Sequence, residues 1–298
     1  MNVEIAICTF NRCHSLDKTL RRLREIDSSD CDPLRIIVVD NNCADQTEKI
    51  VRQHQNELEI LYLHESRQGQ VFARNLAIDA AAGDLLIWID DDVSVAANWL
   101  SSYVAVAQSQ SDYCFWGGPI NPVFEDGQPK WIADHWDKLS GCFAERKLGD
   151  KPFEFSPERL PYGANFAIRT SIQKQYPFAQ HLGRTDSSVL GEDELTLMQT
   201  LMQAELKGCW LPAAAVDHMI DSTRTTTDYV GNYFRGQGRA LAMKGEAWTS
   251  DLAALEKEMN HELRCFAAKR LLSKSDVWLS HLLRGSLAAG QLNFLRSQ

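Results

Sequence analysis

The chain has 298 residues and a formal net charge of −9, with 44% hydrophobic and 24% charged residues. That length suits one large α/β domain, or one domain with a smaller lobe. The acidic balance excludes a general nucleic-acid binder, although an anionic nucleotide can still bind through a metal that reverses the local sign. Eight scattered cysteines with no CxxC pair point to reduced thiols in a cytosol, not a disulfide framework or a zinc site. Met1 leads almost directly into a strand, so no signal peptide is expected. No apolar run approaches the length of a membrane span. The expected location is cytoplasmic, with peripheral contact at the inner face of a membrane left open.

In chain order, residues 3–8 (VEIAIC) read as a buried strand, followed by the loop Thr9-Phe10-Asn11-Arg12. Leu16, Leu20, Leu23 and Ile26 recur at helical spacing, which predicts a helix over 15–26 with Ser15 as its N-cap. Pro33 breaks the chain before a second strand, 34–39, which runs into Asp40-Asn41-Asn42. A helix over 44–54, a strand over 58–63, a turn at Gln68-Gly69-Gln70 and a helix over 71–81 follow. Leu85-Leu86-Ile87-Trp88-Ile89 is a fourth strand, and its pattern predicts burial on both faces. It runs straight into Asp90-Asp91-Asp92. Unpaired charge is too costly to bury, so the strand must end there, with the acids at its carboxyl end. In open α/β sheets that edge binds ligands. The triplet is a candidate seat for a divalent cation and the phosphates it carries; an acidic solvated turn is the plain alternative.

Alternating strands and helices imply a parallel sheet covered on both faces. The first strand lacks the GxGxxG that lets a backbone approach a pyrophosphate, which disfavours a dehydrogenase. What the strand ends offer instead is Thr9, Asn11 and Arg12 after one strand and Asp40 after the next. These groups suit a base edge or a ribose, while a cap or turn role for Asp40 stays open.

The succession ICTFNR, VVDNN, RQGQVFARNLAIDAAAGDLLIWIDDD resembles the amino-terminal half of a family 2 glycosyltransferase with the GT-A fold. The resemblance runs from about Val3 to about Gly238. It implies a mostly parallel central sheet flanked by helices. The expected division is a catalytic domain over 1–225 and a helical extension over 226–298. Residues 1–115 would be the nucleotide-sugar half of the catalytic domain, and 116–225 the acceptor half. It also implies that Thr9, Asn11, Arg12, Asp40, Gly69, Arg74 and Asn75 hold the nucleotide. Asp90, Asp91 and Asp92 would meet the metal–diphosphate.

Further on, a helix over 94–108 and a strand over 113–116 precede a long irregular stretch, 120–159. That stretch carries Trp131 and Trp136, which are candidates for stacking on an acceptor sugar or for ordinary packing. Tyr162-Gly163-Ala164-Asn165 within 160–169 resembles the G-x-N segment of the same family. There Gly163 permits close approach, and Asn165 would meet sugar hydroxyls or tie the strand to a loop. Gly191-Glu192-Asp193-Glu194 begins a helix. Family resemblance puts the catalytic base on Asp193, with Glu192 beside it at the acceptor; helix-end acids are also stabilising in themselves. Gly208 is expected to end that helix, before a last strand pair over 209–216. By the same resemblance His218 completes the metal site, Arg224 grips phosphate, and the segment of Tyr229, Arg235, Gly236 and Gly238 closes over the nucleotide.

From 248 onward the chain reads as helices. Residues 264–298 hold six basic residues against Asp276, a local charge of +5. With the apolar Val277, Trp278, Leu279, Leu282 and Leu283, this suggests contact with an anionic membrane, a packed hairpin or a dimer contact. The resemblance implies inverting transfer of a sugar from a UDP-sugar, with Mn²⁺ or Mg²⁺, to a glycan or lipid-linked acceptor. The competing readings are a metal-dependent nucleotidyltransferase or phosphohydrolase, and a non-catalytic sugar-nucleotide-binding subunit.

Overall fold

The computed structural model describes residues 1–31, 33–180 and 193–298. In chain order the elements are β1 (Val3–Thr9), α1 (Cys13–Leu23), β2 (Leu34–Asp40), α2 (Thr47–His54), β3 (Ile60–His64), α3 (Gln70–Ala80) and β4 (Leu85–Ile89). Next come β5 (Val93–Val95), α4 (Trp99–Ser109), β6 (Tyr113–Gly117), β7 (Ile120–Phe124), α5 (Lys130–Ala133), α6 (Trp136–Leu139), β8 (Phe153–Glu154) and β9 (Asn165–Arg169). The chain ends with α7 (Thr170–Gln175), α8 (Asp193–Gln203), β10 (Lys207–Trp210), β11 (Val216–Ile220), α9 (Thr227–Met243), α10 (Leu252–Lys269) and α11 (Ser275–Arg296).

Among the described residues, eight strands form one sheet in the order β3-β2-β1-β4-β9-β6-β10-β8, and β5-β11-β7 form a second. The first four strands of the large sheet are mutually parallel. Strand β9 runs antiparallel between β4 and β6, so the sheet is mixed. Alternation along the strands divides the core in two. Ile5, Ile7, Ile36, Val38, Leu85 and Ile87 face α1 and α4. Ala6, Ile37, Val39, Leu86 and Trp88 face α3 and α8. All five residues of β4 are buried, as expected of a strand covered on both sides. The eight cysteines are free thiols. No helix among the described residues is long and apolar enough to cross a membrane.

Several boundaries differ from those the sequence predicts, each for a local reason. Helix α1 begins at Cys13, and Ser15 lies inside it. Its first turn is capped from a distance, the Cys13 N–H donating to Asp45 Oδ2 at 2.9 Å. The predicted helix over 94–108 starts only at Trp99, because residues 93–95 pair with β11 instead. The stretch 120–159 is not structureless: it holds β7, α5, α6, a single 3-10 turn and β8. Pro129 stands immediately before α5, where a missing N–H costs nothing. Gly208 lies inside β10 and does not end α8. Strands β10 and β11 belong to different sheets.

The chain forms two compact units. Residues 1–123, 144–180 and 193–219 make the first, and 124–143 with 220–298 the second. The second has its own core of Ile132, Phe143, Val230, Trp278, Leu279 and Leu282. Residues Tyr229, Arg235, Gly236 and Gly238, expected in a closing segment, lie in one continuous helix, α9. A Cβ at Gly238 would meet Leu287 O at 2.1 Å, and one at Gly290 would meet Arg235 O at 2.0 Å. Glycine is what lets α9 and α11 pack backbone to backbone.

Candidate active site

The carboxyl ends of β1, β2 and β4 lie side by side, with Thr9 and Asp40 as register partners. Strand β4 stops at Ile89 and the three acids follow. Asp90 is half-buried, yet Asp91 and Asp92 are buried. Buried carboxylates need partners, and this site supplies them. Arg12 Nη1 donates to Asp91 Oδ1 at 2.6 Å and Nη2 to Asp92 Oδ2 at 2.6 Å. Thr9 Oγ1 donates to Asp91 Oδ2 at 2.6 Å. Burial pushes the Asp91 carboxyl upward against the lowering effect of Arg12, and Asp92 and Asp90 add to the rise.

Strand β11 brings in the fourth member. Its antiparallel pairing with β5 sets His218 opposite Val93, and Met219 N–H donates to Asp92 O at 2.8 Å. The His218 imidazole then stands 3.3 Å from Asp92 Oδ2. Asp90, Asp92 and His218 each offer one ligand atom, and these atoms lie within 4.8 Å of one another. Two hard oxygens and an imidazole nitrogen are a donor set that could hold a divalent cation.

A second cluster is built around Arg74 on α3. Its Nη1 donates to Asp193 Oδ2 at 2.6 Å, and its Nη2 pairs with Glu194 Oε1 at 2.5 Å. All three side chains are at most one-tenth exposed, and the guanidinium lies 5.0 Å over the Phe178 ring. Asp193 Oδ1 is buried without a hydrogen-bond partner among the described residues. Burial pushes the Asp193 carboxyl up to about 7; Arg74 opposes the rise and Glu194 reinforces it. Gly163 makes room for this cluster: a Cβ there would fall 1.8 Å from Glu194 Oε1 and 2.9 Å from Arg74 Nη2. Charges from both clusters act on the half-buried Cys8. Desolvation pushes its thiol up to about 12, with Arg74 opposing and Asp90, Asp91 and Asp193 adding.

The other expected residues are placed as follows. Asp40 accepts from Tyr62 Oη at 2.7 Å and from the Cys43 N–H at 2.6 Å. Asn11, at φ 51°, accepts the Ala44 N–H at 2.7 Å. The Gly69 N–H donates to Asn41 Oδ1 at 2.9 Å. Asn75 exchanges both its amide groups with the Phe178 backbone at 2.9 Å. Asn165 accepts from Trp99 Nε1 and Tyr103 Oη, each at 2.9 Å, and donates to Pro119 O at 3.0 Å and Ala214 O at 2.7 Å. Those four bonds use the whole capacity of an amide and leave nothing for a sugar hydroxyl, so Asn165 is a structural tie. Trp131 packs on Trp278 at 5.5 Å within the second unit. Arg224 also lies in that unit, with its guanidinium 6.0 Å over Tyr229. Glu192 lies outside the described residues. The roles of Arg12 and Arg74 as carboxylate partners, and the place of Glu194, escape the sequence reading. Nothing in the linear order puts residue 74 against residue 193.

A mixed sheet of this order, with an Asp-Asp-His cluster at the end of a central strand, defines a GT-A-like α/β protein. Residues 4–172 match the family model described as "Glycosyl transferase family 2", and the chain belongs to that family. It is 29% identical over 134 residues to the succinoglycan biosynthesis protein ExoM of Rhizobium meliloti (strain 1021), covering 44% of this chain and 43% of that protein. The match therefore spans under half of that relative's length. A glucosyl-dolichyl phosphate glucuronosyltransferase of Haloferax volcanii is 21% identical over 236 residues, 77% of this chain and 73% of that one. Among solved structures, the mannosyltransferase PcManGT from Pyrobaculum calidifontis, in complex with GDP-Man and Mn²⁺, superposes with a TM-score of 0.61 at 17% identity. That match covers 100% of this chain and 88% of the other. S. aureus TarS 1–349 in complex with UDP-GlcNAc gives 0.56 at 16% identity, covering 100% and 90%.

Proposed function

We propose that the protein moves a sugar from a nucleoside-diphosphate donor to an acceptor hydroxyl, with inversion, in the assembly of a polysaccharide or glycoconjugate. One observation carries this reading. A cluster of Asp90, Asp92 and His218 that could hold a cation and a buried carboxyl, Asp193, raised to about 7 occur together, and the charges of Asp90 and Asp193 both act on the Cys8 thiol at the end of β1. The bound nucleotide sugars and Mn²⁺ of the structural neighbours support a similar donor here.

In this reading Asp193 accepts the proton of the acceptor hydroxyl through its oxygen Oδ1, while Arg74 holds Oδ2. A carboxyl raised toward neutrality is a stronger base than an ordinary one when ionised. The hydroxyl oxygen bonds to the anomeric carbon as the carbon–oxygen bond to the diphosphate breaks. One displacement inverts the configuration and needs no carboxylate nucleophile. When bound, a divalent ion supplies positive charge to the departing diphosphate. Asp90, Asp92 and His218 would hold it, and the imidazole favours Mn²⁺ over Mg²⁺. Arg12 anchors Asp91 and Asp92 so that the carboxylates are already oriented.

The test is calorimetry of UDP- and GDP-sugars with Mn²⁺ or with EDTA, paired with NMR of the product anomer. Donor binding should need Mn²⁺ and be lost in Asp92→Ala. Retained configuration, or binding unchanged by EDTA, refutes the corresponding half of the reading.

A further inference from the structure

Helices α10 and α11 form a hairpin in the second unit, and the turn between them is unusual. Leu271 and Leu272 are 89% and 88% exposed, far above the other large apolar side chains described. The turn is well ordered by hydrogen bonds. Lys269 O accepts from the Leu272 N–H at 3.1 Å, the Ser273 N–H at 3.0 Å and Ser273 Oγ at 2.7 Å. Ser275 Oγ, just beyond, is held by His135 Nε2 at 3.1 Å.

Basic residues surround the pair. Lys269 and Arg270 precede it and Lys274 follows, with Asp276 the one acid between 269 and 280. Glu262 and Glu258, farther up α10, are taken by His281 and Arg284 across the hairpin. This is a basic tip on an otherwise acidic chain, since residues 1–263 carry −14 if 264–298 carry +5. Of the apolar residues that the sequence offers for such a contact, Trp278, Leu279 and Leu282 are buried in the core of their unit and Leu283 packs partly against it, while Val277 is 39% exposed.

We infer that the Arg270–Lys274 turn docks the protein on an anionic lipid surface. Two adjacent leucines on a convex turn bury far less than the roughly 800 Å² per partner of a stable protein interface. They do suit the headgroup–acyl boundary, where the leucines enter and flanking lysine and arginine stay with lipid phosphates. The same charges oppose stacking of two such tips on each other.

The experiment is co-sedimentation of the full chain with vesicles of phosphatidylcholine alone or mixed with phosphatidylglycerol, together with sedimentation velocity without lipid. Wild type should bind the anionic vesicles and not the neutral ones. The pair Leu271→Ser and Leu272→Ser should weaken that binding about tenfold or more, as should Arg270→Ser with Lys274→Ser, about thirtyfold. All four side chains lie on the turn, and unchanged melting curves would show that the fold is kept. Equal binding by the serine pair, or no binding by wild type, overturns the inference. So does a dimer that the serine pair dissolves in the absence of any vesicle binding. Vesicle binding requires neither donor nor turnover, so its failure leaves the proposed reaction untouched.

Discussion

Replacing Asp193 with Asn is the most direct probe of the site. The amide keeps the shape of the carboxylate and still offers an oxygen to Arg74, which donates at 2.6 Å to Oδ2. Glu194 remains as a charged partner at 2.5 Å. The structural cost is therefore confined to one charge-assisted hydrogen bond, about 1.5–3 kcal/mol, and the fold should survive. The chemical cost is larger, because an amide cannot take the acceptor's proton. General-base catalysis contributes about 10²–10⁴-fold, or about 2.7–5.4 kcal/mol at 1.36 kcal/mol per decade. Donor affinity by calorimetry should stay within about twofold of wild type. The pH profile adds a second check. The base must be ionised to act, and its carboxyl is raised to about 7. Wild-type kcat/KM should fall tenfold per pH unit below about pH 7, and the Asn variant should lose that limb. Turnover within about tenfold of wild type with the acid limb intact would refute the assignment of the base.

Arg74→Lys replaces a fork that reaches two carboxylates with a single ammonium; since Arg74 lowers the Asp193 carboxyl, the acid limb of kcat/KM should move to higher pH, and an unmoved limb would count against Arg74 as its positioning residue. Gly163→Ala pushes a methyl to within 1.8 Å of Glu194 Oε1 and should cost about 10²-fold in kcat through displaced side chains, with the melting temperature recorded as the control for folding. Asn165→Ala strands the donors of Trp99 and Tyr103 and two backbone carbonyls, so denaturant unfolding should show a loss of about 3–5 kcal/mol; a loss under 1 kcal/mol would show that the amide is not the tie described.

The sequence by itself determined the succession of strands and helices in the amino-terminal half, the end of β4 and the placement of Asp90 and Asp92 at that end. Hydrophobic run length and a charge that cannot be buried unpaired are local signals, and Leu85 to Asp92 carries both. Family resemblance pointed to His218, but only the tertiary structure supplied the reason: β11 pairs antiparallel with β5 and so sets residue 218 opposite Val93, the residue that follows Asp92. The same limit explains Asn165, whose saturation depends on α4 and two loops meeting β9. It explains Arg74 as well. The sequence places residue 74 on a helix, but its neutralisation by Asp193 and Glu194 is a contact across more than a hundred residues. Periodicity along a chain reports burial; which buried charges meet is settled only when the sheet has brought their elements together.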